Sequence, residues 1–170
     1  MSKVSLRDLY NPTPFCGQID CDLEYLPGML AHDNVNLSPS YQRRSVWTQE
    51  QREAFMGHFI TGGEMLPVIF QRVPDSGHSE VLDGKQRIEA MLAWINNEVG
   101  ARLPDGRLVF RRDIEEKRLG RVSFRIKYIN LPFEERKRFY VRLNSAGTPH
   151  TKEELEAALK ATPDSTHARL

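Results

Sequence analysis

Apolar positions along this chain fall into alternating helical and strand spacings from Thr48 onward. Phe55, Met56, Phe59 and Ile60 share one helical face. A T-x-x-Q capping box at Thr48 and Gln51 predicts the start of that helix, and Gly62-Gly63 its stop. Residues 67–73 and 79–82 read as two strands joined by the turn-forming Pro74-Asp75-Ser76-Gly77, hence a hairpin. A second helix follows, with Ile88, Met91, Leu92, Ile95 and Val99 as its buried stripe and its start fixed at Gly84. Asp105-Gly106 between apolar positions predicts another tight hairpin over 103–108, and Phe124, Ile126 and Tyr128 alternate with charged neighbours as a strand over 124–129. Pro132 suits the first turn of a helix carrying Glu134, Glu135, Phe139, Val141 and Leu143, broken by 144–149. Thr151 with Glu154 caps a last helix holding Leu155, Ala158 and Leu159.

The N-terminal pattern is weaker. Residues 22–30 predict one or two helical turns limited by Pro27 and Gly28, and 35–37 a brief strand before the Ser38-Pro39-Ser40 turn. Residues 5–17 read as an extended arm or a short helix followed by a turn. The expected organisation is an arm over 1–21, one mixed α+β domain over 22–161 and a frayed tail over 162–170, with no internal repeat.

Composition limits the function classes. With 170 residues, 39% hydrophobic and 28% charged, the chain is expected to fold as a single globular domain. Its longest apolar runs, such as 65–70, are too short to cross a bilayer, and 1–8 lacks a hydrophobic signal core, so a cytoplasmic protein without a membrane partner is expected. Cys16 and Cys21 lack histidines at zinc-site spacing, and the five histidines lack metal-ligand spacing, so no metal site is expected in the protein. Neither a G-x-S-x-G elbow nor a Walker loop is present. The net charge of +1 hides a segregation: 107–142 carries 12 Lys or Arg against 5 Asp or Glu. An anionic partner or a solvated basic face explains that surplus equally well.

Three clusters carry candidate chemistry. In Val81-Leu82-Asp83-Gly84-Lys85-Gln86-Arg87 a strand turns at glycine into a helix, aiming backbone N–H groups and the positive helix end at one spot, with Arg87 beside it. Such turns serve packing about as often as ligands. Four polar side chains at one junction tip the reading toward a phosphate site. In Pro39-Ser40-Tyr41-Gln42-Arg43-Arg44-Ser45-Val46-Trp47, either Tyr41 and Trp47 anchor a loop whose arginines are solvated, or the loop contacts an anion. In Arg142-Leu143-Asn144-Ser145-Ala146-Gly147-Thr148, a phosphate- or base-contacting loop and an ordinary helix end are both open.

The three clusters, in this order and over about 22–161, resemble the "DGQQR" family with the ParB/sulfiredoxin fold, which supplies the N-terminal domain of GmrSD-type modification-dependent restriction enzymes. The resemblance implies a small mixed sheet with packed helices and a nucleotide held at Gly84 and Arg87. Lys85 stands where the family pattern has glutamine, ParB glutamate and sulfiredoxin cysteine, so a sulfiredoxin-type cysteine mechanism is excluded at this site. The implied catalytic set is Asp83, Lys85 and Arg87. The implied phosphate- and nucleotide-binding set is Gly84, Gln86 and Arg87 with Tyr41, Gln42, Arg43, Arg142 and Asn144. Arg44, Arg111 and Arg112 are candidates for DNA contact. Nothing like the large C-terminal nuclease region of the restriction relatives follows, so a stand-alone phage or phage-defence domain is expected, acting alone, as a homodimer or with a larger protein partner. The implied cofactor is a nucleoside triphosphate, with or without magnesium, and the implied function is DNA-associated nucleotide binding with NTP hydrolysis or phosphoryl transfer. The alternative is a non-catalytic module that binds DNA or senses a modified base.

Overall fold

The computed structural model describes residues 15–42, 46–73, 77–115, 122–145 and 151–162. Five strands, β1 (Phe15–Asp22), β2 (Val35–Asn36), β3 (Val68–Arg72), β4 (Ser79–Asp83) and β7 (Ser123–Ile129), form a mixed sheet in the order β1-β7-β3-β4-β2. β1 pairs antiparallel with β7, β7 parallel with β3, β3 antiparallel with β4, and β4 parallel with β2. β5 (Ala101–Arg102) and β6 (Leu108–Val109) make the small separate hairpin expected around Asp105-Gly106. The helices are α1 (Leu26–His32), α2 (Gln49–Ile60), α3 (Lys85–Ile95), α4 (Phe133–Ser145) and α5 (Lys152–Lys160). The turn at 74–76 and the tail at 163–170 lie outside the described residues.

The sheet separates two cores. Val68 and Phe70 of β3, Val81 of β4 and Phe124, Ile126 and Tyr128 of β7 pack with α1, α2 and α3. Ile69, Leu82 and Ile129 pack with Tyr41 and with Tyr140 of α4 and Ala158 of α5 on the other side. This follows from the period-two alternation of a strand covered on both faces, and each large side chain fully buried there contributes about 1.5–3 kcal/mol. Gln71 points its carboxamide into the second core, where its Oε1 accepts from the Leu131 N–H at 3.0 Å and its Nε2 donates to the Leu131 carbonyl at 3.2 Å.

The capping box at α2 forms as expected: the Gln51 N–H donates to Thr48 Oγ1 at 3.3 Å and the Thr48 N–H to Gln51 Oε1 at 2.9 Å. The buried face of α3 differs from the expected stripe. It is centred on Ile88, Met91 and Trp94, with Ala90 and Ala93, while Leu92 and Ile95 are only half-buried. Val99 lies beyond the helix, because Asn97 at φ 60° reverses the chain. The Trp94 indole donates to the Val109 carbonyl at 3.0 Å and so carries the small hairpin. α4 continues through Asn144 to Ser145 instead of breaking at Asn144.

β1 is the main addition to the expected fold. The segment read as an arm becomes an edge strand from Phe15, yet Cys16 to Asp20 are all exposed, so no buried stripe marks it in the sequence. Cys16 is an exposed free thiol and Cys21 a buried one. Burial first, then the neighbouring Asp22 carboxylate, pushes the Cys21 thiol up to about 11, which keeps it protonated and unreactive.

α2 meets β5 through Gly57, where a Cβ would stand 1.8 Å from the Arg102 carbonyl oxygen. Backbone cannot retreat as a flexible side chain can. Gly57→Ala is therefore expected to cost about 2–3 kcal/mol, read as a lower denaturant midpoint at unchanged slope. An unaltered midpoint would mean that α2 and β5 do not touch this closely.

Candidate functional site

β4 runs into α3 through Gly84, whose φ of +94° and ψ of 9° place it in the left-handed region. A Cβ there would lie 2.9 Å from Val68 Cγ2, so conformation and space both require glycine. The Ile88 N–H donates to the Gly84 carbonyl at 2.9 Å, closing the first helical turn. Arg87 lies four residues after Asp83, and the helical rise brings its guanidinium back onto that carboxylate, 2.6 Å from Asp83 Oδ2. A second guanidinium nitrogen donates to the Leu66 carbonyl. The Arg87 side chain is 13% exposed and that of Asp83 35%, so the cation is held in place while the carboxylate reaches solvent. Lys85 Nζ donates to Ser38 Oγ at 3.1 Å. The junction thus gathers two cations and the positive end of α3, with one carboxylate among them.

The second cluster meets the first. Gln42 Nε2 donates to the Val81 carbonyl at 2.5 Å, on the strand leading into the turn. Gln86 Oε1 accepts from the Val46 N–H at 3.2 Å and the Trp47 N–H at 3.0 Å. Trp47 packs its ring 5.3 Å from Phe55, and Tyr41 is 3% exposed, so both aromatics anchor the loop on the core, one of the two readings left open by the sequence. Arg43 and Arg44 lie outside the described residues. Gln42 and Gln86, expected among phosphate ligands, hydrogen-bond to backbone groups of the strand and loop segments that they face.

Beneath the loop lies a buried polar cluster. Glu80 Oε2 accepts from the Tyr41 hydroxyl at 2.9 Å and from an Arg136 guanidinium nitrogen at 2.6 Å, and His78 Nε2 stands 3.9 Å from Glu80 Oε1. Burial and then the Glu80 carboxylate push the Tyr41 hydroxyl well above its ordinary range, so it remains a donor. Arg136 lies 5.4 Å over the Phe133 ring. Through this cluster β4, α4 and the 38–42 loop hold one arrangement. Lys137, 4% exposed, ties α4 to the end of α5 by donating to the Leu159 and Ala161 carbonyls at 2.9 and 3.0 Å.

The remaining candidates stand apart. Arg142 is exposed on α4, its guanidinium 5.8 Å from the Phe139 ring centre, and Asn144 lies in the last turn of that helix. Arg111 pairs with Glu24 at 2.8 Å, and Arg112 stacks 4.7 Å over Phe110. Arg107, Arg125, Arg136 and Lys137 also pair with carboxylates, which takes up part of the basic surplus of 107–142 in ion pairs. Five participants were not singled out from the sequence: Ser38, Leu66, His78, Glu80 and Arg136. Glu80, a carboxylate next to the apolar Val81-Leu82 of a strand, carried the one available signal, since burying it demands a cation elsewhere. Leu66 acts through its backbone and leaves no signal. Among the described residues, no group of three or more His, Cys, Asp or Glu is placed to hold a metal, and no helix is long and apolar enough to cross a membrane. A groove of about 1100 Å³ is lined by Phe59, Met65, Pro67, Phe124 and Arg125, none of which belongs to the junction.

Residues 28–160 match the family described as the GmrSD restriction endonuclease, N-terminal domain. Among solved structures, the chain is similar to a C-terminally truncated chromosome-partitioning protein ParB from Caulobacter crescentus complexed with CTP-gamma-S. The identity is 15%, the TM-score 0.44, and the match covers 79% of this chain and 56% of that one. This chain therefore spans little more than half the length of that structure. No curated protein matches the sequence.

The buried cluster yields a graded stability series. Tyr41→Phe removes one hydrogen bond and is expected to cost about 1 kcal/mol. Glu80→Ala strands a buried guanidinium and is expected to cost about 3–5 kcal/mol. Denaturant midpoints measure both, and a Glu80→Ala loss no larger than that of Tyr41→Phe would contradict the burial of this pair.

Proposed function

Since the chain belongs to the GmrSD restriction endonuclease N-terminal domain family, we propose that it binds a nucleoside triphosphate at the Asp83–Arg87 junction as part of a DNA-directed restriction system. The observation that carries this reading is the position of Arg87. Its guanidinium is held by a carboxylate, 2.6 Å away, beside the N-terminus of α3. A carboxylate oxygen bonded to arginine occupies the place that a phosphate oxygen takes when a nucleotide binds. Binding exchanges one anion for another without moving the cation, which Leu66 continues to hold. Lys85 reaches the terminal phosphates as a mobile point charge, and the backbone at Gly84 approaches them without a Cβ in the way.

Hydrolysis belongs to this reading through Asp83. Once Arg87 turns to phosphate, the half-exposed carboxylate is free to orient a water, and magnesium, when bound, would supply the charge neutralisation that two anions side by side require. Catalysis at such a site rests on positioning and charge stabilisation. The family description, a restriction endonuclease, supports DNA as the wider target. Arg112, exposed beside Phe110, serves as a DNA contact in this reading, while Arg111 is engaged with Glu24.

Thermal shifts with ATP, CTP, GTP and UTP, with and without magnesium, test binding, since a ligand at 100 times its Kd adds about 2.7 kcal/mol. Arg87→Ala is expected to remain folded and to lose on the order of 2–3 kcal/mol of triphosphate affinity. Unchanged affinity in the folded variant would remove the junction as the site.

Asp83→Asn separates binding from turnover. It is expected to hold triphosphate at least as well as the native protein, because the amide competes less for Arg87, and to release no phosphate. Should the native protein itself release none, with magnesium and DNA present, the non-catalytic binding reading replaces hydrolysis.

A further inference from the structure

We propose that Gln86 is a positioning residue that fixes the wall of the nucleotide site and does not touch phosphate; this rests on the reading of the junction given above. Two successive backbone N–H groups, those of Val46 and Trp47, converge on its side-chain oxygen at 3.2 and 3.0 Å. Backbone N–H groups only donate, so the atom facing them is the acceptor, which settles the orientation of the carboxamide. Gln86 lies in the first turn of α3, one residue before Arg87 and one after Lys85. Its side chain thus leaves the phosphate-facing pair and reaches across to the loop.

The loop is tethered from both limbs to the same strand–turn–helix unit. Gln42 holds the first limb to the Val81 carbonyl, Gln86 holds the second, and Ser38 meets Lys85. Val46 is 48% exposed, while the Trp47 ring rests against Phe55. With the ring held by the core, the two hydrogen bonds to α3 fix how the backbone of the second limb lies against the first turn of that helix, the turn that carries Lys85 and Arg87. An alanine at 86 leaves two adjacent N–H groups without their acceptor and frees the limb. A glutamate keeps an oxygen in the same place and adds a negative charge.

That charge makes the test discriminating. For Gln86→Ala, triphosphate affinity is expected to fall about tenfold with the denaturant midpoint nearly unchanged, while Gln86→Glu stays within about threefold of the native protein. If Gln86 touched phosphate, the introduced carboxylate would make Gln86→Glu the weaker of the two, and that result overturns the proposal. Amide exchange at Val46 and Trp47, read against amides within α3, gives a measure independent of any nucleotide. Exchange is expected to rise about tenfold in Gln86→Ala and to return to the native rate in Gln86→Glu. Unchanged exchange in Gln86→Ala would show that the tether does not exist. A native protein that binds no triphosphate counts against the nucleotide reading itself, and the exchange rates then decide the tether alone.

Discussion

Glu80 brings a carboxylate into the interior, 4% exposed, on a strand whose residues Ser79 to Leu82 are all buried. A charge so placed is tolerated only when cations and donors surround it, and here they come from two other parts of the chain. Arg136 arrives from α4 and Tyr41 from the loop after β2. Meeting the demand of one carboxylate therefore commits a strand, a helix and a loop to a single arrangement. β4 itself is committed on both faces, with Leu82 packed toward α4 and α5 and Val81 toward α2 and α3.

The site inherits that rigidity. β4 ends three residues after Glu80, at Asp83, and Gly84 turns the chain into α3 in a conformation that no side chain fits. Arg87 comes back onto Asp83, and this cation–anion pair beside the start of α3 is the geometry on which the proposed exchange for phosphate rests. Pre-formed placement of this kind reduces the ordering that binding must supply. The described residues flanking the junction are held by Tyr41 on Glu80, by Gln42 on the Val81 carbonyl and by Gln86 on the Trp47 N–H.

Local signals in the sequence carried much of this. The capping boxes at Thr48 and Thr151, the β3–β4 pairing and the Asp105-Gly106 hairpin each depend on neighbouring residues, and they form where the pattern places them. The mixed α+β class follows from the same alternation of strands and helices. What escaped depends on contacts distant in sequence. β1 is an edge strand with exposed residues, so its place in the sheet comes from backbone pairing with β7, which leaves no hydrophobic period. Trp94 replaces the expected Leu92 and Ile95 at the centre of α3 because the β5–β6 hairpin covers that side of the helix. The backbone partners of Gln42 and Gln86 lie about 40 residues away in the chain, so the motifs gave no sign of these hydrogen bonds. Arg87 and Asp83 stood at a spacing that makes an ion pair on a helix, and the sequence located the junction without revealing that its cation was already engaged.

The central claim is that Arg87 exchanges its Asp83 partner for a phosphate. The most direct measurement follows the guanidinium nitrogens of Arg87 by NMR while a nucleoside triphosphate is titrated into the native protein, with Arg87→Ala supplying the assignment. The account requires the Arg87 signals to shift with saturation at the same concentration that stabilises the protein against heat. Binding that stabilises the protein yet leaves those signals where they stand would place the nucleotide elsewhere and contradict it.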